Sequence, residues 1–566
     1  MDQAQASAAG YVVFLLIVLS LVAPVGTYLA KVFAGERVWL SAILEPVERV
    51  VYRIGGVDPK KEQDWKAYLF SFIAFSLAGT LAIYALLRCQ QWMPFYDAKN
   101  LTTPMSPDLA MNTAVSFQTT STWQAYGGET TMSYISQMTL TASNFMAGAS
   151  GLAIGIAFIR GLSRDRSDTL GNFWVDLMRA VLYVLLPLSI IGAAILIALG
   201  VPMNFLPYTE VTTLEGARQL IAQGPVASLE IIKNLGTNGG GFFSVNAAHP
   251  FETPNNAANL LNLLAIAVLP AALTRTFGIM TNRRKDGWVL FGVMVVLFAA
   301  GLAICDKAER GGNPHISALH VSGSNMEGKE ARFGVSGSVL AAITTSNGAT
   351  GSTNSAPDSY TPIGVLVPLS NMLLGEMVFG GLGTGIYSIV LVAVLGLFIC
   401  GLMVGRTPDY LGKTIGKHEI QLIVLYTLAA PFCVLLLTAL AVVTGPGVAG
   451  LTTNDGPHGF TEIIFAFTSS FANNGQSMGG LSANSAFYNI TTAIAMMAGR
   501  FLLAVPALAL AGAFAKQGRR PFTMGTLPSD GLMFGVIIVS TVILLTLLSF
   551  FPALALGPIV EHYRLH

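Results

Sequence analysis

The stretch NLGTNGGGFFSVN at residues 234–246 decides how the rest of this sequence is interpreted, because three similar stretches recur along the chain. Hydroxyl or amide side chains beside a glycine return in ITTSNGATGSTN at 343–354 and in SSFANNGQSMGGLSAN at 469–484. A looser version, QTTSTWQAYGGE, precedes them at 118–129. Glycine lacks a Cβ, so the backbone at such positions can adopt left-handed conformations and approach a ligand closely. The four cores lie about 110 to 130 residues apart, which indicates an internal repeat.

Glycine-rich loops also bind phosphate, but GTNGGG at 236–241 lacks the GK[ST] ending of a P-loop and does not match GxGxxG. Long apolar segments flank each core, and non-helical backbone at membrane depth is tolerated only where it is buried or lines a watery cavity. Four such loops around one axis would present carbonyl, hydroxyl and amide oxygens to a dehydrated cation. We therefore expect a potassium-type selectivity filter, since turns alone would not call for repeated Asn-Gly beside Thr or Ser.

The expected filter residues are the hydroxyl, amide and glycine positions of the four cores. They are Thr120, Ser121, Thr122, Thr237, Asn238, Gly239, Thr345, Ser346, Asn347, Gly348, Asn473, Asn474 and Gly475. The cores TTST, TNGGG, TSNGA and ANNGQ contain no acidic residue, which favours a monovalent over a divalent ion. A short helix before each core would direct its partly negative C-terminal end at the filter and so favour a cation. The residue types distinguish less clearly between potassium and sodium as the bound ion.

The composition is that of an integral membrane protein. The 566 residues are 53% hydrophobic and only 11% charged, with a mean hydropathy of +0.62. A net charge of +1 gives no general attraction to nucleic acid, so that class of partner is excluded. Four scattered cysteines fit neither a disulfide framework nor a zinc site. The first apolar run, 11–30, is too long for a typical signal peptide and predicts a retained span.

Apolar runs of about 20 residues predict an all-α protein with ten transmembrane helices. The order indicates four span–pore loop–span repeats in a channel-like, pseudo-fourfold arrangement. The predicted segments are 1–66 (first span and cytoplasmic loop), 67–160, 161–282, 283–405 and 406–516 (pore repeats 1 to 4), and 517–566 (last span and C-terminus). The predicted spans are 11–31, 67–87, 132–159, 173–199, 257–280, 288–305, 363–404, 420–443, 487–516 and 532–554, and short pore helices begin near 106, 225, 333 and 459.

The span predicted at 363–404 is about twice the usual length and is interrupted by GGLGTG at 380–385. A single helix broken at these glycines keeps the fourth repeat in register, and such breaks accompany transport paths. The candidate gating residues are Gly380, Gly381, Gly383 and Gly385. Glu376 lies just before the break, and its residue type leaves two interpretations open: a pair with a neighbouring helix, or a place beside the ion path.

Arg500 lies deep in the last span of the fourth repeat, in AMMAGRFLLAV. An ionisable side chain there is costly and indicates function by default. It would either place a positive charge beneath the filter, as suits a pump that diverts ions, or pair with an acid such as Glu376 for structural reasons.

Basic residues in loops predict the orientation. If the filters open outward, about 19 of the 31 Lys and Arg residues lie in inner loops. We therefore expect the filter loops and the N-terminus on the extracytoplasmic side.

Five stretches together resemble the KdpA family, the potassium-binding, channel-like subunits of bacterial Kdp pumps. They are NLGTNGGGFFSVNAAHPFETP, TTSNGATGSTNSAPDSYTPIG, NMLLGEMVFGGLGTGIYS, GRTPDYLGK and GLSANSAFYN. The resemblance covers nearly the whole chain. It implies a high-affinity potassium uptake complex in the bacterial inner (plasma) membrane and a fold related to the Trk and Ktr transporters.

The resemblance also implies partners besides membrane lipids: a separate P-type ATPase subunit (KdpB), a single-span accessory subunit (KdpC) and a small peptide subunit (KdpF). In that family the ion enters through the filter and passes sideways through an intramembrane tunnel to the ATPase subunit. By resemblance, the GGLGTG loop is the gating element and Arg500 the positive residue below the filter. The chain departs from the family in the first filter core. Thr122 stands directly before Trp123 and Gln124, where the family tends to have Asn, and this difference affects ion discrimination by the first of the four cores.

The sequence contains neither a DKTGT phosphorylation motif nor a P-loop. We therefore expect K⁺ as the transported ion, no nucleotide bound by this chain, and no enzymatic activity of its own, so that ATP coupling comes from a partner. Two other functions stay open at this point: a self-sufficient Trk- or Ktr-type potassium channel or symporter, and a membrane enzyme that binds nucleotide at GTNGGG.

Overall fold

The computed structural model describes residues 3–321, 323–406, 408–521 and 527–565, and within them ten helices are long and apolar enough to cross a membrane. We call them spans 1 to 10: Ser7–Ala34, Trp65–Trp92, Tyr134–Ser163, Phe173–Ala198, Asn256–Met280, Arg284–Arg310, Thr384–Met403, Lys417–Val443, Ala486–Lys516 and Leu532–Leu565. The predicted ten spans and all-α class are confirmed. The predicted segment boundaries stay a prediction.

Four shorter helices lie between the spans of successive pairs. These pore helices 1 to 4 are Pro107–Gln118, Val226–Leu235, Gly334–Asn347 and Gly456–Phe471. They contain 10 to 16 residues, whereas a membrane crossing needs about 20. Two spans separate each pore helix from the next, so all four enter the bundle from one face, which we call the pore-helix face.

Pore helix 1 begins where its sequence predicts. Ser106 is the N-cap and its side chain accepts a hydrogen bond from the backbone N–H of Leu109. Pro107 occupies the first turn, where a missing N–H costs nothing, and Asp108 complements the positive helix end.

Span 7 is the second half of the broken helix. A first half, Pro362–Leu373, is followed by ten non-helical residues, 374–383, before Thr384 starts the second half. Positive φ angles at Gly375, Glu376, Phe379 and Gly383 keep this segment from being helical. The predicted break is confirmed, but it begins six residues before the GGLGTG sequence.

Close backbone contacts at small residues hold the spans together, as is common within membranes. Gly26 of span 1 packs on span 5, where an added Cβ would lie 2.5 Å from the carbonyl oxygen of Ala272. The hydroxyl of Thr276 donates to the Gly26 carbonyl at 3.1 Å. Gly155 of span 3 packs in the same way on Gly383, at the end of the break.

On the opposite face, Lys413 joins the ends of spans 3 and 9. Its ammonium donates to the carbonyl oxygens of Gly161, Arg164 and Phe514, which lie in the last turns of the two helices or directly after them. Burial lowers the pKa of Lys413 to about 8. The contact holds spans 3 and 9, which border the candidate site, in position relative to each other.

The loop between spans 1 and 2 contains an amphipathic helix, Ser41–Gly55. Ile43, Val47, Val50 and Ile54 lie exposed along one side, as expected for a helix at a membrane surface. This helix is not among the elements predicted from the sequence.

The remaining elements are short. They are the helices Gly128–Thr131, Pro314–Ala318 and Gly445–Val448, the 3-10 turn Pro357–Ser359, and the antiparallel hairpins Thr209–Thr212 with Arg218–Ile221 and Asp409–Tyr410 with Lys413–Thr414.

Gly26→Val should separate span 1 from span 5, because the new side chain meets backbone. We expect a loss of about 1–3 kcal/mol, measured as a lower midpoint of thermal unfolding of the purified chain in detergent. Gly10→Val on the same span is the control, since no atom lies within 4 Å of an added Cβ there. Equal midpoints for the two variants would contradict the packing assigned to span 1.

Candidate functional site

The loops that follow the four pore helices share one backbone pattern. After the residue that caps each helix come three residues, of which the first and third have positive φ. We call these the filter triplets 1 to 4: Thr120-Ser121-Thr122, Thr237-Asn238-Gly239, Ala349-Thr350-Gly351 and Asn473-Asn474-Gly475. The φ angles at the first positions are 66°, 50°, 52° and 57°, and those at the third positions are 49°, 88°, 67° and 85°.

The triplets contact one another in a closed ring. A Cβ added to Gly239 of triplet 2 would lie 1.5 Å from the carbonyl oxygen of Thr350 in triplet 3. On Gly351 it would lie 2.3 Å from the Asn474 carbonyl in triplet 4, and on Gly475 it would lie 1.9 Å from the Ser121 carbonyl in triplet 1. These three approaches require glycine.

The fourth contact of the ring uses a side chain instead. The hydroxyl of Thr122 in triplet 1 donates to the Asn238 carbonyl in triplet 2 at 2.8 Å. Asparagine side chains add further links: Asn473 donates to the Ser121 hydroxyl at 2.8 Å and Asn474 donates to the Thr345 carbonyl at 3.1 Å. All four repeats therefore meet at one place.

In the third repeat, the loop with this backbone pattern lies three residues later than the predicted filter residues. Thr345, Ser346 and Asn347 lie in the last turn of pore helix 3, and Gly348 caps it with φ −82°. The Asn347 side chain donates to the Ile343 carbonyl at 2.9 Å, within the helix. Such bonds let these residues remain helical, so the loop begins later than the Asn-Gly pair suggests.

The residues that correspond to the other triplets in backbone conformation are Ala349, Thr350 and Gly351. Gly351, rather than Gly348, has the positive φ and the close approach to the next repeat. The other nine predicted filter residues lie in the triplets.

A small buried cavity lies directly beneath the ring. The first residue of every triplet lines it: Thr120, Thr237, Ala349 and Asn473. Residues of the break before span 7, Gly148 and Gly151 of span 3, and Arg500 also line it. The structure thus brings residues of the predicted filter and of the predicted gating element together in the wall of one cavity.

The break is bonded to the ring. The backbone N–H of Leu382 donates to the Thr237 hydroxyl at 2.8 Å. An added Cβ on Gly381 would lie 3.0 Å from that of Ala349, and on Gly383 it would lie 2.0 Å from the Gly151 carbonyl. Gly380 also lies in the break, whereas Gly385 belongs to the first turn of span 7.

Arg500 lines the cavity without an acidic partner among the described residues. Its guanidinium donates to the Thr120 hydroxyl at 3.2 Å, the Ala147 carbonyl at 3.1 Å and the Ser150 hydroxyl at 3.0 Å. It also lies 5.4 Å from the centre of the Phe72 ring. Pairing with Glu376, one of the two interpretations drawn from the sequence, is therefore wrong.

Glu376 is buried, and its carboxylate accepts a hydrogen bond from the Asn474 side chain at 2.8 Å. It borders a second cavity that extends among span 7, span 8 and span 10 past Ser388 and Tyr426. Leu428, which is 58% exposed, lines the same cavity, so the cavity reaches the surface of the bundle.

A buried ion pair supports triplet 2 from behind. The Lys233 ammonium lies 2.6 Å from the Glu230 carboxylate, and both side chains are fully buried. The same ammonium donates to the carbonyl oxygens of Gly240 and Asn246, each at 2.7 Å. The pair holds the glycine segment that follows the triplet.

Glu252 completes this support from the loop before span 5. Its carboxylate accepts a hydrogen bond from the Phe242 N–H. Burial raises the pKa of Glu252 above its usual range, with Lys233 opposing the shift.

Sequence comparison identifies the family of this site. Residues 12–563 match the family described as KdpA, Potassium-transporting ATPase A subunit. The chain belongs to the KdpA family. The potassium-transporting ATPase potassium-binding subunit of Solibacter usitatus is 50% identical over 554 residues, which cover 98% of this KdpA chain and 97% of that protein. The subunit of the same description from Brucella anthropi is 50% identical over 551 residues, which cover 97% of each chain.

The KdpA fold resembles that of a solved transporter. The crystal structure of the potassium transporter TrkH from Vibrio parahaemolyticus aligns with a TM-score of 0.51 at 14% identity, covering 86% of this chain and 96% of that one. The predicted membership of the KdpA family and the predicted relation to the Trk fold are confirmed.

Sequence reasoning missed several residues around the candidate site. Gln124 pairs with Gly241, two residues after triplet 2, accepting from its N–H at 2.8 Å and donating to its carbonyl at 2.9 Å. Glu230 and Lys233 carried a usable signal, because two charges in a ten-residue helix between apolar spans call for an explanation.

Lys233→Met should destabilise the chain strongly, because it leaves the Glu230 charge buried and removes two donors from the loop. We expect a loss of about 3–5 kcal/mol, seen as a lower thermal unfolding midpoint in detergent. Adding Glu230→Gln to Lys233→Met removes the unpaired charge and should restore part of the lost stability.

The control for that experiment is Arg218→Met, which removes an exposed pair with Glu210 on the hairpin. Its cost should not exceed about 1 kcal/mol. If Lys233→Met unfolds at the same temperature as this control, the ion pair does not support the loop.

Proposed function

We propose that this KdpA chain is the potassium-binding, channel-like subunit of an ATP-driven potassium importer. In this proposal K⁺ enters the filter triplets from the extracytoplasmic side and passes to a separate P-type ATPase subunit, while this chain hydrolyses no ATP. The observation that carries the proposal is the closed ring formed by one triplet from each repeat, with a cavity beneath it.

The chemistry of the ring supports a monovalent cation. The triplets offer carbonyl, hydroxyl and amide oxygens and contain no carboxylate. Each follows directly on the C-terminal end of a pore helix, where the helix dipole is negative. Oxygens held in this way can replace the hydration shell of K⁺.

The groups beneath the ring support diversion of the ion rather than straight passage. Arg500 places a positive charge in the cavity below the triplets. Glu376 lies at the head of the second cavity, which reaches the surface between spans 8 and 10. We propose that K⁺ moves sideways past Glu376, with the residues of the break, Gly380 to Gly383, as the gating element.

The proposed assembly follows that of the family. The ATPase subunit (KdpB) would receive the ion at the opening near Leu428, with the accessory subunit KdpC, the small subunit KdpF and membrane lipids completing the complex. We place the chain in the bacterial inner membrane with its pore-helix face outward, because the charged loops of the opposite face contain most of the Lys and Arg residues.

The test is K⁺-stimulated ATP hydrolysis by the purified complex, with serine substitutions in the ring. Gly239→Ser and Gly351→Ser should raise the half-saturating K⁺ concentration about tenfold or more, a loss of about 1.4 kcal/mol, because each side chain displaces a neighbouring carbonyl. Gly348→Ser should have a smaller effect, since Gly348 lies at the end of pore helix 3.

Gly216→Ser is the matched control, because Gly216 has φ +84° on the exposed hairpin and no atom within 4 Å of an added Cβ. Unchanged K⁺ dependence in the Gly239 and Gly351 variants would overturn the filter assignment. If no ATPase subunit co-purifies and the chain alone passes K⁺ current, the self-sufficient Trk- or Ktr-type channel replaces the present proposal.

Arg500→Ala should reduce the number of K⁺ ions imported per ATP hydrolysed, because the positive charge that opposes leakage is gone. Arg500→Lys keeps that charge and should retain most of the coupling. The measurement is K⁺ uptake and phosphate release by the complex in vesicles. The same ratio in Arg500→Ala and the unmodified complex would show that Arg500 only packs the cavity wall.

A further inference from the structure

A cluster of one histidine and three carboxylates lies on the pore-helix face, outside the ring. It contains Asp358 from the 3-10 turn after triplet 3, His458 and Glu462 from successive turns of pore helix 4, and Glu561 near the end of span 10. The sequence separates these residues by up to about 200 positions. The mechanism proposed above uses none of them.

The distances match a metal site with an oriented histidine. The Nε2 atom of His458 lies 3.0 Å from Asp358 Oδ1 and 3.9 Å from Glu462 Oε1. Ligand atoms about 2.0–2.2 Å from one ion are roughly 3 to 3.5 Å apart, so a small rotation of the Glu462 carboxylate suffices. One ligand atom from each of Asp358, His458 and Glu462 lies within 4.8 Å of the other two.

Glu561 has a different part. Its carboxylate lies 2.8 Å from Nδ1 of His458, on the opposite side of the imidazole from Asp358. A metal-ligating histidine commonly donates its second N–H to a carboxylate, which fixes the tautomer and the ring orientation. Glu561 therefore directs Nε2 toward Asp358 and Glu462.

An unpartnered atom points to a ligand. Glu462 is fully buried at its side chain, and its Oε2 atom has no hydrogen-bond partner in the described part of the chain. Its other oxygen accepts from the Asn454 side chain at 3.0 Å. A buried carboxylate oxygen left in this way is costly.

The charges of the cluster also lack compensation. Among the described residues, His458 is the basic partner of all three carboxylates, and no lysine or arginine forms an ion pair with them. One imidazolium balances one of three negative charges. A divalent cation would balance the other two negative charges.

We propose that Asp358, His458 and Glu462 bind one divalent transition-metal ion of the Zn²⁺ or Mn²⁺ class, with Glu561 as the orienting residue. An imidazole with two carboxylates favours such ions over Mg²⁺ and Ca²⁺, which prefer oxygen ligands alone. Bound metal joins the segment after triplet 3, pore helix 4 and the end of the chain.

Zn²⁺ is the probe, and the sample is the purified full-length chain in its complex, stripped with a chelator. Equilibrium dialysis against ZnCl₂ in excess Mg²⁺ and Ca²⁺, followed by elemental analysis, should give one Zn²⁺ per chain. Zn²⁺ should also raise the thermal unfolding midpoint, because an ion that binds only the folded state stabilises it.

His458→Asn and Asp358→Asn should abolish that stoichiometric binding and the shift of the midpoint. Glu561→Gln leaves the three ligands in place, and it should weaken Zn²⁺ binding about 10- to 100-fold. His320→Asn is the control, since His320 is exposed in a loop at φ +61°, a conformation that Asn accepts, and it should bind Zn²⁺ as the unmodified chain does.

Two results would overturn the proposal. Absence of stoichiometric Zn²⁺ would show an imidazolium–carboxylate cluster only. Binding that is the same in His458→Asn, Glu561→Gln and the unmodified chain would place the ion elsewhere. Both results leave the function proposed for the filter triplets unaffected, because the cluster lies outside the ring.

Discussion

The structure depends on three places where a backbone carbonyl occupies the space that a side chain would need. At Gly239, Gly351 and Gly475 the carbonyl of the neighbouring repeat lies within 2.3 Å of an added Cβ. Because each contact joins two different repeats, the ring closes only when all four repeats are folded. The glycines at these third positions therefore set how near the oxygens of the ring can come to one another.

Two buried cations keep the backbone around this ring in place. Lys233 behind triplet 2 and Arg500 below triplet 1 both donate to main-chain carbonyls, and Lys233 also pairs with Glu230. Backbone oxygens inside a membrane protein have no bulk water to bond with. Side-chain donors such as these therefore stabilise the non-helical backbone conformation. The loops are irregular, but their polar groups are held by defined partners.

Much of the architecture follows from simple sequence signals. Apolar runs predict the spans, and Ser106-Pro107-Asp108 predicts the start of pore helix 1 because capping is local chemistry. The sequence points to Asn347-Gly348 rather than to triplet 3 because this pair has the same letters as Asn238-Gly239. What separates them is the bond from Asn347 back to Ile343, which depends on the folded helix rather than on the letters. The cluster around His458 joins distant segments, so no local pattern marks it.

Thr122 takes the position that glycine occupies in the other three triplets, and its hydroxyl forms the contact to Asn238 that the glycines make by proximity. A pore assembled from four identical subunits must change all four quarters together. Here each quarter is encoded separately, so evolution can alter one side of the opening while leaving the remaining three intact. Among the third positions of the four triplets, only Thr122 has a side chain, so the ring is chemically different at that quarter.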